Sequence, residues 1–229
     1  MSEIYLLRHG QASFGKEDYD QLSDKGYAQA KLLSEFLIST GIKFDSFYLG
    51  ENKRHRQTME PSENLLKDSE NLNVRSAFNE FEFEDVLKIV IPKMIEEEPS
   101  FKDDVDKMFE NNSNFQKVFE KSVFRWLDQP EHFDVINWGQ FVERVRAELL
   151  RVLESEGPGK KIALFSSGGV IAAVVQIILN LSDKDALRLS WQILNASITR
   201  IKYNSDSAVL CSFNEAGFLA AESGMVTFR

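Results

Sequence analysis

Short apolar runs alternate along the chain with longer segments in which apolar residues recur every three or four positions. Continuous apolar runs predict buried parallel strands, and the longer period predicts amphipathic helices. The predicted strands are 4–7, 46–49, 74–75 and 161–166, and the predicted helices are 24–41, 54–67, 138–156 and 169–179. Segments 197–203 and 208–213 alternate apolar and polar residues, which predicts a hairpin. We expect an α/β fold, a three-layer αβα sandwich around a mostly parallel sheet.

The segment 85–133 is helical in pattern and rich in aromatic residues. We interpret it as a helical cap inserted into a single domain that spans 1–229. Aromatic residues at helical spacing usually pack inward, so we favour a satellite core over a surface that stacks on substrate. The aromatic residues concerned are Phe101, Phe109, Phe115, Phe119, Phe124, Trp126 and Phe133.

Composition and charge limit the partners and the cellular location that we expect. The formal net charge is −9 and the basic residues are dispersed, so we expect no nucleic-acid partner. The longest apolar stretch, 170–181, falls short of the ~20 residues that span a bilayer, so we expect no membrane partner. A single cysteine, Cys211, and the lack of a signal-peptide pattern favour the cytoplasm. The oligomeric state is left open.

The triplet Arg8-His9-Gly10 carries the clearest chemistry. It directly follows the first predicted strand, at the edge where open α/β sheets place their sites. An imidazole can attack phosphorus while a guanidinium holds the phosphoryl oxygens. The alternative for an isolated triplet is a buried histidine that is only hydrogen-bonded. The histidines His9, His55 and His132 have no metal-ligand spacing, so we expect no metal or other cofactor.

Further segments along the chain resemble one family. After Arg8-His9-Gly10-Gln11 come a capped helix start at 22–30, the strand end and helix at 48–58, Phe78-Asn79-Glu80, and the strand and turn at 162–170. In this order and spacing they resemble the histidine phosphatase superfamily, the phosphoglycerate-mutase-like proteins. The resemblance implies metal-independent hydrolysis of a small phosphorylated substrate, with inorganic phosphate as a further ligand.

The resemblance also implies roles for individual residues. His9 would be the nucleophile that becomes phosphohistidine, and Arg8 and Arg54 would bind the phosphoryl group. Glu80 would donate the proton to the leaving group. An alternative for Glu80 is a solvated acidic edge shared with Glu82, Glu84 and Asp85.

The main departure from the family pattern is Ser167, because the family usually has His-Gly-Gly where this chain has Ser167-Gly168-Gly169. The chain resembles a branch that has Ser-Ser-Gly-Gly here and Arg-His-x-Gln-Thr at 54–58. We expect Ser167 and Gly168 to bind phosphate, with backbone N–H groups forming an anion nest; the alternative is an ordinary helix N-cap. Smaller departures are Ala12, Gly15 and Gly50.

Two accessory candidates complete the predicted site. His55 could supply the imidazole missing at Ser167, and the alternative is a surface or supporting histidine. Gln11 is the second candidate, while Lys53 and Arg56 fit a solvated helix face.

Three functions compete on these residues. The first is a phosphatase weakened by Ser167, and the second is a phosphate-binding or regulatory protein on the same fold. A phosphoglycerate mutase is disfavoured, because the Arg-His pair that follows the matching Glu in such mutases is replaced by Phe81-Glu82. Neither a serine-hydrolase elbow nor a nucleotide-binding P-loop is matched.

Overall fold

The computed structural model describes residues 2–13, 20–134 and 136–228. In this part of the chain six strands form one sheet, in the order β3-β2-β4-β1-β5-β6. The strands are β1 (Ser2–Arg8), β2 (Ser46–Leu49), β3 (Leu72–Val74), β4 (Lys161–Ser166), β5 (Ile198–Tyr203) and β6 (Ala208–Glu215). The helices are α1 (Asp24–Ser39), α2 (Lys53–Met59), α3 (Phe83–Glu97), α4 (Phe101–Asp106), α5 (Asn112–Asp128), α6 (Trp138–Glu156), α7 (Gly168–Leu179) and α8 (Asp183–Ser190).

The sheet is mostly parallel, which confirms the predicted fold class. Neighbouring strands from β3 through β1 pair in parallel, whereas β5 is antiparallel to both β1 and β6. Arg8 lies opposite Ser166, and Leu49 lies opposite Phe165. The carboxyl ends of β1, β2 and β4 therefore meet at one edge of the sheet.

Helices cover both faces of this sheet. Leu7, Phe47 and Phe165 project from one face into a core that includes Leu33 of α1 and Met59 of α2. Because side chains alternate along a strand, the intervening residues face the other side. There α7 contacts β1 and β6, and the Tyr48 hydroxyl donates to Glu156 of α6 at 2.8 Å. The layers are thus α/β/α, as predicted.

The structure corrects the predicted helix 54–67. The α-helix ends at Met59, and Glu60–Leu65 continues as a 3-10 helix with Pro61 near its start. Proline has no N–H, and its ring clashes with the carbonyl four residues earlier, so it does not continue an α-helix without distortion. The predicted helix 24–41 instead ends at Ser39, and Gly41 adopts a positive φ of 69° just beyond it.

The chain divides into two compact units. One unit holds the sheet, and the other is Phe81–Phe141. Within the second unit Trp126 is fully buried and its ring lies 5.3 Å from that of Phe81, so its aromatic residues form a core as predicted. Phe109 is the exception, with 79% of its surface exposed. The predicted insertion 85–133 falls inside this unit, and its role as a cap stays a prediction.

No helix among the described residues has the length and apolar character needed to cross a membrane.

Candidate active site

His9 lies just beyond the end of β1, and its backbone N–H donates to the Ser166 carbonyl at 2.9 Å. Its side chain is buried, with Nδ1 2.7 Å from the Gly10 carbonyl oxygen. A carbonyl only accepts, so Nδ1 carries the proton and Nε2 keeps its lone pair. Burial and the charges of Arg54 and Arg8 hold the pKa of His9 well below its usual value. At neutral pH His9 is therefore a neutral imidazole with a nucleophilic Nε2.

Two buried guanidinium groups flank this imidazole. Arg8 donates through Nη1 to the Ile193 carbonyl, and its Cζ lies 3.7 Å from the position that a Cβ on Gly168 would occupy. Arg54, in the first turn of α2, forms an ion pair with Asp20 at 2.6 Å. Both positive charges lower the pKa of His9. Such a pair of planar cations suits the oxygens of a phosphoryl group.

Glu80 is positioned at the start of α7. Its Oε1 accepts a hydrogen bond from the Gly169 backbone N–H at 3.1 Å. The backbone just before Glu80 is held by Ser166, because the Ser166 hydroxyl donates to the Phe78 carbonyl at 2.8 Å. A carboxylate at a helix N-terminus is favoured by the orphan N–H groups there. The Gly169 N–H predicted for the anion nest therefore binds Glu80 in this structure.

Ser167 and His55 contact each other at the same edge. The Ser167 Oγ lies 2.6 Å from His55 Nε2, and both residues are fully buried. The alternative of a surface histidine is wrong for His55, and the Ser167 side chain makes no capping bond to α7. The ring of His55 lies 5.8 Å from that of His9. The chain thus has a second imidazole close to His9.

A family model matches most of the chain. The model of the histidine phosphatase superfamily (branch 1) matches residues 4–216. The chain belongs to this superfamily. No sequence among the curated proteins matches the chain.

Solved structures of histidine phosphatase relatives share the fold. A mutant phosphoserine phosphatase from Entamoeba histolytica, in complex with phosphoserine, has a TM-score of 0.65 at 16% identity, covering 96% of this chain and 100% of its own. A phosphoglycerate mutase from Bacillus anthracis has a TM-score of 0.61 at 17% identity, covering 96% and 95%. A mycobacterial glucosyl-3-phosphoglycerate phosphatase, in complex with VO3, has a TM-score of 0.63 at 18% identity, covering 93% and 99%.

Two side chains of α2 accept hydrogen bonds from the backbone next to the candidate site. The Thr58 Oγ1 accepts from the Gly10 N–H at 3.0 Å, and the Gln57 Oε1 accepts from the Leu22 N–H at 2.8 Å. Both residues lie one helical turn after Arg54, so they share its face of the helix. Neither role was predicted from the sequence, although the spacing of one helical turn from Arg54 indicates a shared helix face.

A polar network that the sequence did not reveal ties the His9 loop to distant residues. Asn195 Nδ2 donates to the His9 carbonyl at 3.2 Å, and Gln29 Oε1 accepts from the Gln11 N–H at 2.7 Å. Thr227 joins the two, because its Oγ1 accepts from Gln29 and donates to Asn195. Asn195 and Gln29 are fully buried. We call these three side chains the loop tether.

The other residues considered in the sequence make different contacts or are exposed. The Gln11 side chain accepts from the Ser23 hydroxyl at 3.1 Å, at the start of α1. Lys53 and Arg56 are exposed, as a solvated helix face requires, and so is His132. Gly15 lies outside the described residues. Among the residues that the structure describes, no three His, Cys, Asp or Glu side chains converge as a metal site would require.

Proposed function

We propose that this protein hydrolyses phosphomonoesters through a phosphohistidine formed on His9. The observation that carries the proposal is a buried, neutral imidazole that keeps its Nε2 lone pair and lies within the electrostatic influence of two buried guanidinium groups. A protonated histidine could not attack phosphorus, so the depressed pKa matters for reactivity at neutral pH. The two arginines supply the positive charge that phosphoryl transfer needs, so the proposed reaction requires no metal ion.

The reaction has two steps. In the first, His9 Nε2 forms a bond to phosphorus as the P–O bond to the leaving group breaks, and Glu80, which enters this step as the carboxylic acid, gives its proton to the departing oxygen and becomes the carboxylate. In the second, water attacks the phosphohistidine, the N–P bond breaks, and the Glu80 carboxylate takes the proton from water. Arg8 and Arg54 bind the nonbridging oxygens throughout.

The relatives support a small phosphorylated substrate. Solved structures of the same fold hold phosphoserine, VO3 and inorganic phosphate. Each of these ligands contains an oxyanion of phosphorus or vanadium, which a pair of arginines binds well. We propose only that this chain binds an oxyanion of this kind, and that residues 85–133 cap the site.

The experiment is hydrolysis of p-nitrophenyl phosphate in the presence of EDTA. We expect turnover by the wild-type protein and a loss of at least about 10³-fold in His9→Gln. The matched control is His132→Gln, which removes an exposed histidine of the other unit and should leave the rate unchanged. Quenching wild type and labelled substrate in alkaline detergent should trap a phosphoenzyme that is stable to base, is lost on acid treatment, and is absent from His9→Gln.

Equal turnover in wild type and His9→Gln would refute the phosphohistidine mechanism. Tight phosphate binding without turnover would instead support a phosphate-binding or regulatory protein, the second function that replacement of a histidine by Ser167 suggests.

A further inference from the structure

Gln29, a fully buried residue of α1, contacts the backbone that directly follows His9. Its Oε1 accepts from the Gln11 N–H at 2.7 Å, while its Nε2 donates to the Met225 carbonyl at 2.7 Å and to Thr227 Oγ1 at 2.8 Å. A carbonyl oxygen only accepts, so the Met225 contact fixes which end of the Gln29 amide is the nitrogen. The Gln29 side chain therefore has one orientation, with its oxygen toward Gln11.

The Gln11 N–H and the Gly10 carbonyl belong to one planar peptide group. The N–H end of this group donates to Gln29, and the oxygen at its carbonyl end lies 2.7 Å from His9 Nδ1 and accepts from it. Two hydrogen bonds and one rigid plane therefore connect Gln29 to the imidazole. Because glycine adopts many backbone conformations, the peptide after Gly10 needs partners to keep it in one orientation.

The close packing of α1 brings Gln29 within reach of this peptide. A Cβ on Gly26 would come within 2.1 Å of the Gln11 carbonyl oxygen, so the two backbone segments are in direct contact. The Ser23 N–H donates to the same oxygen at 2.9 Å. Gln29 follows Gly26 by three positions, which places both residues on the helix face toward Gln11.

On the proposed mechanism, the bond from His9 Nδ1 to the Gly10 carbonyl becomes stronger as His9 reacts. When Nε2 bonds to phosphorus, Nδ1 keeps its proton and the ring acquires a positive charge, so this hydrogen bond becomes charge-assisted. Burial and the charges of Arg54 and Arg8 lower the pKa of His9, whereas the bond to the Gly10 carbonyl raises it and so favours a positive ring. A peptide whose N–H is bonded is also a stronger acceptor at its carbonyl, because bonded groups polarise one another. Gln29 therefore strengthens a contact that stabilises the reacting ring.

We propose that Gln29 is a positioning residue for the nucleophile: through the Gly10–Gln11 peptide it holds the proton on His9 Nδ1, so that the Nε2 lone pair is the one that attacks phosphorus. The proposal rests on the proposed function for the reaction itself, whereas the position of the His9 proton can be measured without turnover. Gln29 acts through the peptide and the imidazole and contacts no substrate atom.

The first test is NMR at neutral pH on the full chain, with a heavy nitrogen label in its histidines, of which the sequence has three. Loss of signals in His9→Gln assigns the His9 ring, and we expect wild type to hold its proton on Nδ1. Gln29→Met keeps the length of the side chain but has no oxygen. In this variant the ratio of the Nδ1–H to the Nε2–H tautomer should fall by about 3- to 10-fold, which corresponds to the loss of one neutral hydrogen bond.

Two further variants at the same position complete this test. Gln29→Glu keeps an oxygen that accepts from the Gln11 N–H, so it should restore the wild-type tautomer ratio. Gln29→Asn keeps the amide but is one methylene shorter, so it should change the ratio as Gln29→Met does. If one of the disruptive variants does not unfold cooperatively, the other decides.

The second test follows the first chemical step, by mixing p-nitrophenyl phosphate with excess enzyme in single-turnover experiments. Gln29→Met should lower the maximal rate by about tenfold and change the half-saturating enzyme concentration by less than about twofold, because the bond strengthens only as the ring gains charge. Gln29→Glu should recover most of the rate. The matched control is Ser34→Ala on the same helix, which removes a buried hydrogen bond to the Pro61 carbonyl and should lower stability without changing the rate.

The two readouts separate this proposal from the proposed function. A changed tautomer ratio in a protein that shows no His9-dependent turnover would support the role of Gln29 and refute the hydrolysis. His9-dependent turnover with an unchanged ratio in Gln29→Met would refute the role of Gln29 alone. A wild type with its His9 proton on Nε2, or an equal loss of rate in Ser34→Ala, would also overturn that role.

Discussion

Gly26 offers a stability prediction in which two opposing effects can be compared. It lies in the first turn of α1, where a Cβ would come within 2.1 Å of the Gln11 carbonyl oxygen. Gly10 makes the reciprocal contact, since a Cβ there would lie 2.4 Å from the Gly26 carbonyl oxygen. Real Cβ atoms essentially never approach closer than 3.0 Å, so Gly26→Ala forces one backbone segment to move.

The expected size follows from the two effects. Alanine gains about 1 kcal/mol over glycine in helix propensity, which alone would stabilise the protein. Overpacking costs about 1–3 kcal/mol, and the upper end applies here because the obstructing atom is backbone. We therefore expect Gly26→Ala to lower the free energy of unfolding by about 2 kcal/mol, which lowers Tm by roughly 4–8 °C in a chain of this size.

Thermal unfolding followed by circular dichroism measures this change. The control is Gly217→Ala, because a Cβ on Gly217 would have no neighbour within 4 Å. The segment that Gly26→Ala would displace contains Gly10 and Gln11, which directly follow His9. A shift of about 1 Å in a reacting group can lower a rate by 10²-fold, so we expect the rate of hydrolysis to fall as well. A Gly26→Ala protein that melts at or above the Gly217→Ala control would refute the close packing of α1 on Gly10 and Gln11.

Three further predictions concern acid catalysis, pH and the loop tether. Glu80→Gln should slow an alkyl phosphate by about 10²–10⁴-fold and p-nitrophenyl phosphate far less; equal slowing would show that Glu80 is not the acid. Because folding holds the pKa values of His9 and His55 well below 6.5, the unfolded chain binds more protons as pH falls below 6.5. Stability should therefore decrease there by up to about 1.4 kcal/mol per pH unit for each histidine, and urea midpoints should flatten with pH in a His9→Asn/His55→Gln variant. Thr227→Val removes the oxygen that joins the tether and should cost about 1–3 kcal/mol of stability, whereas Val226→Ala, at an exposed neighbour, should change little; equal melting temperatures would contradict the tether.

The regular elements follow closely from local pattern. Helix α6 and strands β2 and β4 have the predicted bounds, because each has a strong period or a buried apolar run and clear breakers beside it. The end of α2 differs from the prediction, which placed Pro61 within the first turns of a helix or at a kink; instead the α-helix ends at Met59, and Pro61 lies at the start of a 3-10 helix.

The candidate site was predictable where one short segment carries the chemistry, as at Arg8 and His9. The contact between His55 and Ser167 was not, because it joins positions 112 residues apart through a single pair of side-chain atoms. Neighbouring residues of a helix point about 100° apart, which predicts different directions for the Arg54 and His55 side chains. In the structure Arg54 pairs with Asp20 while His55 points to Ser167, so the two side chains diverge and both remain candidates for the site.

The loop tether has a consequence for how the protein folds. Hydrogen bonds from the Gln29 side chain reach Met225 and Thr227, which lie 196 and 198 positions away in the sequence. Such contacts incur a large loop-closure entropy before they stabilise anything, so they form late in folding. We expect secondary structure to recover first on refolding, with catalytic competence appearing only in the last kinetic phase, when residues 225–227 dock beneath the His9 loop.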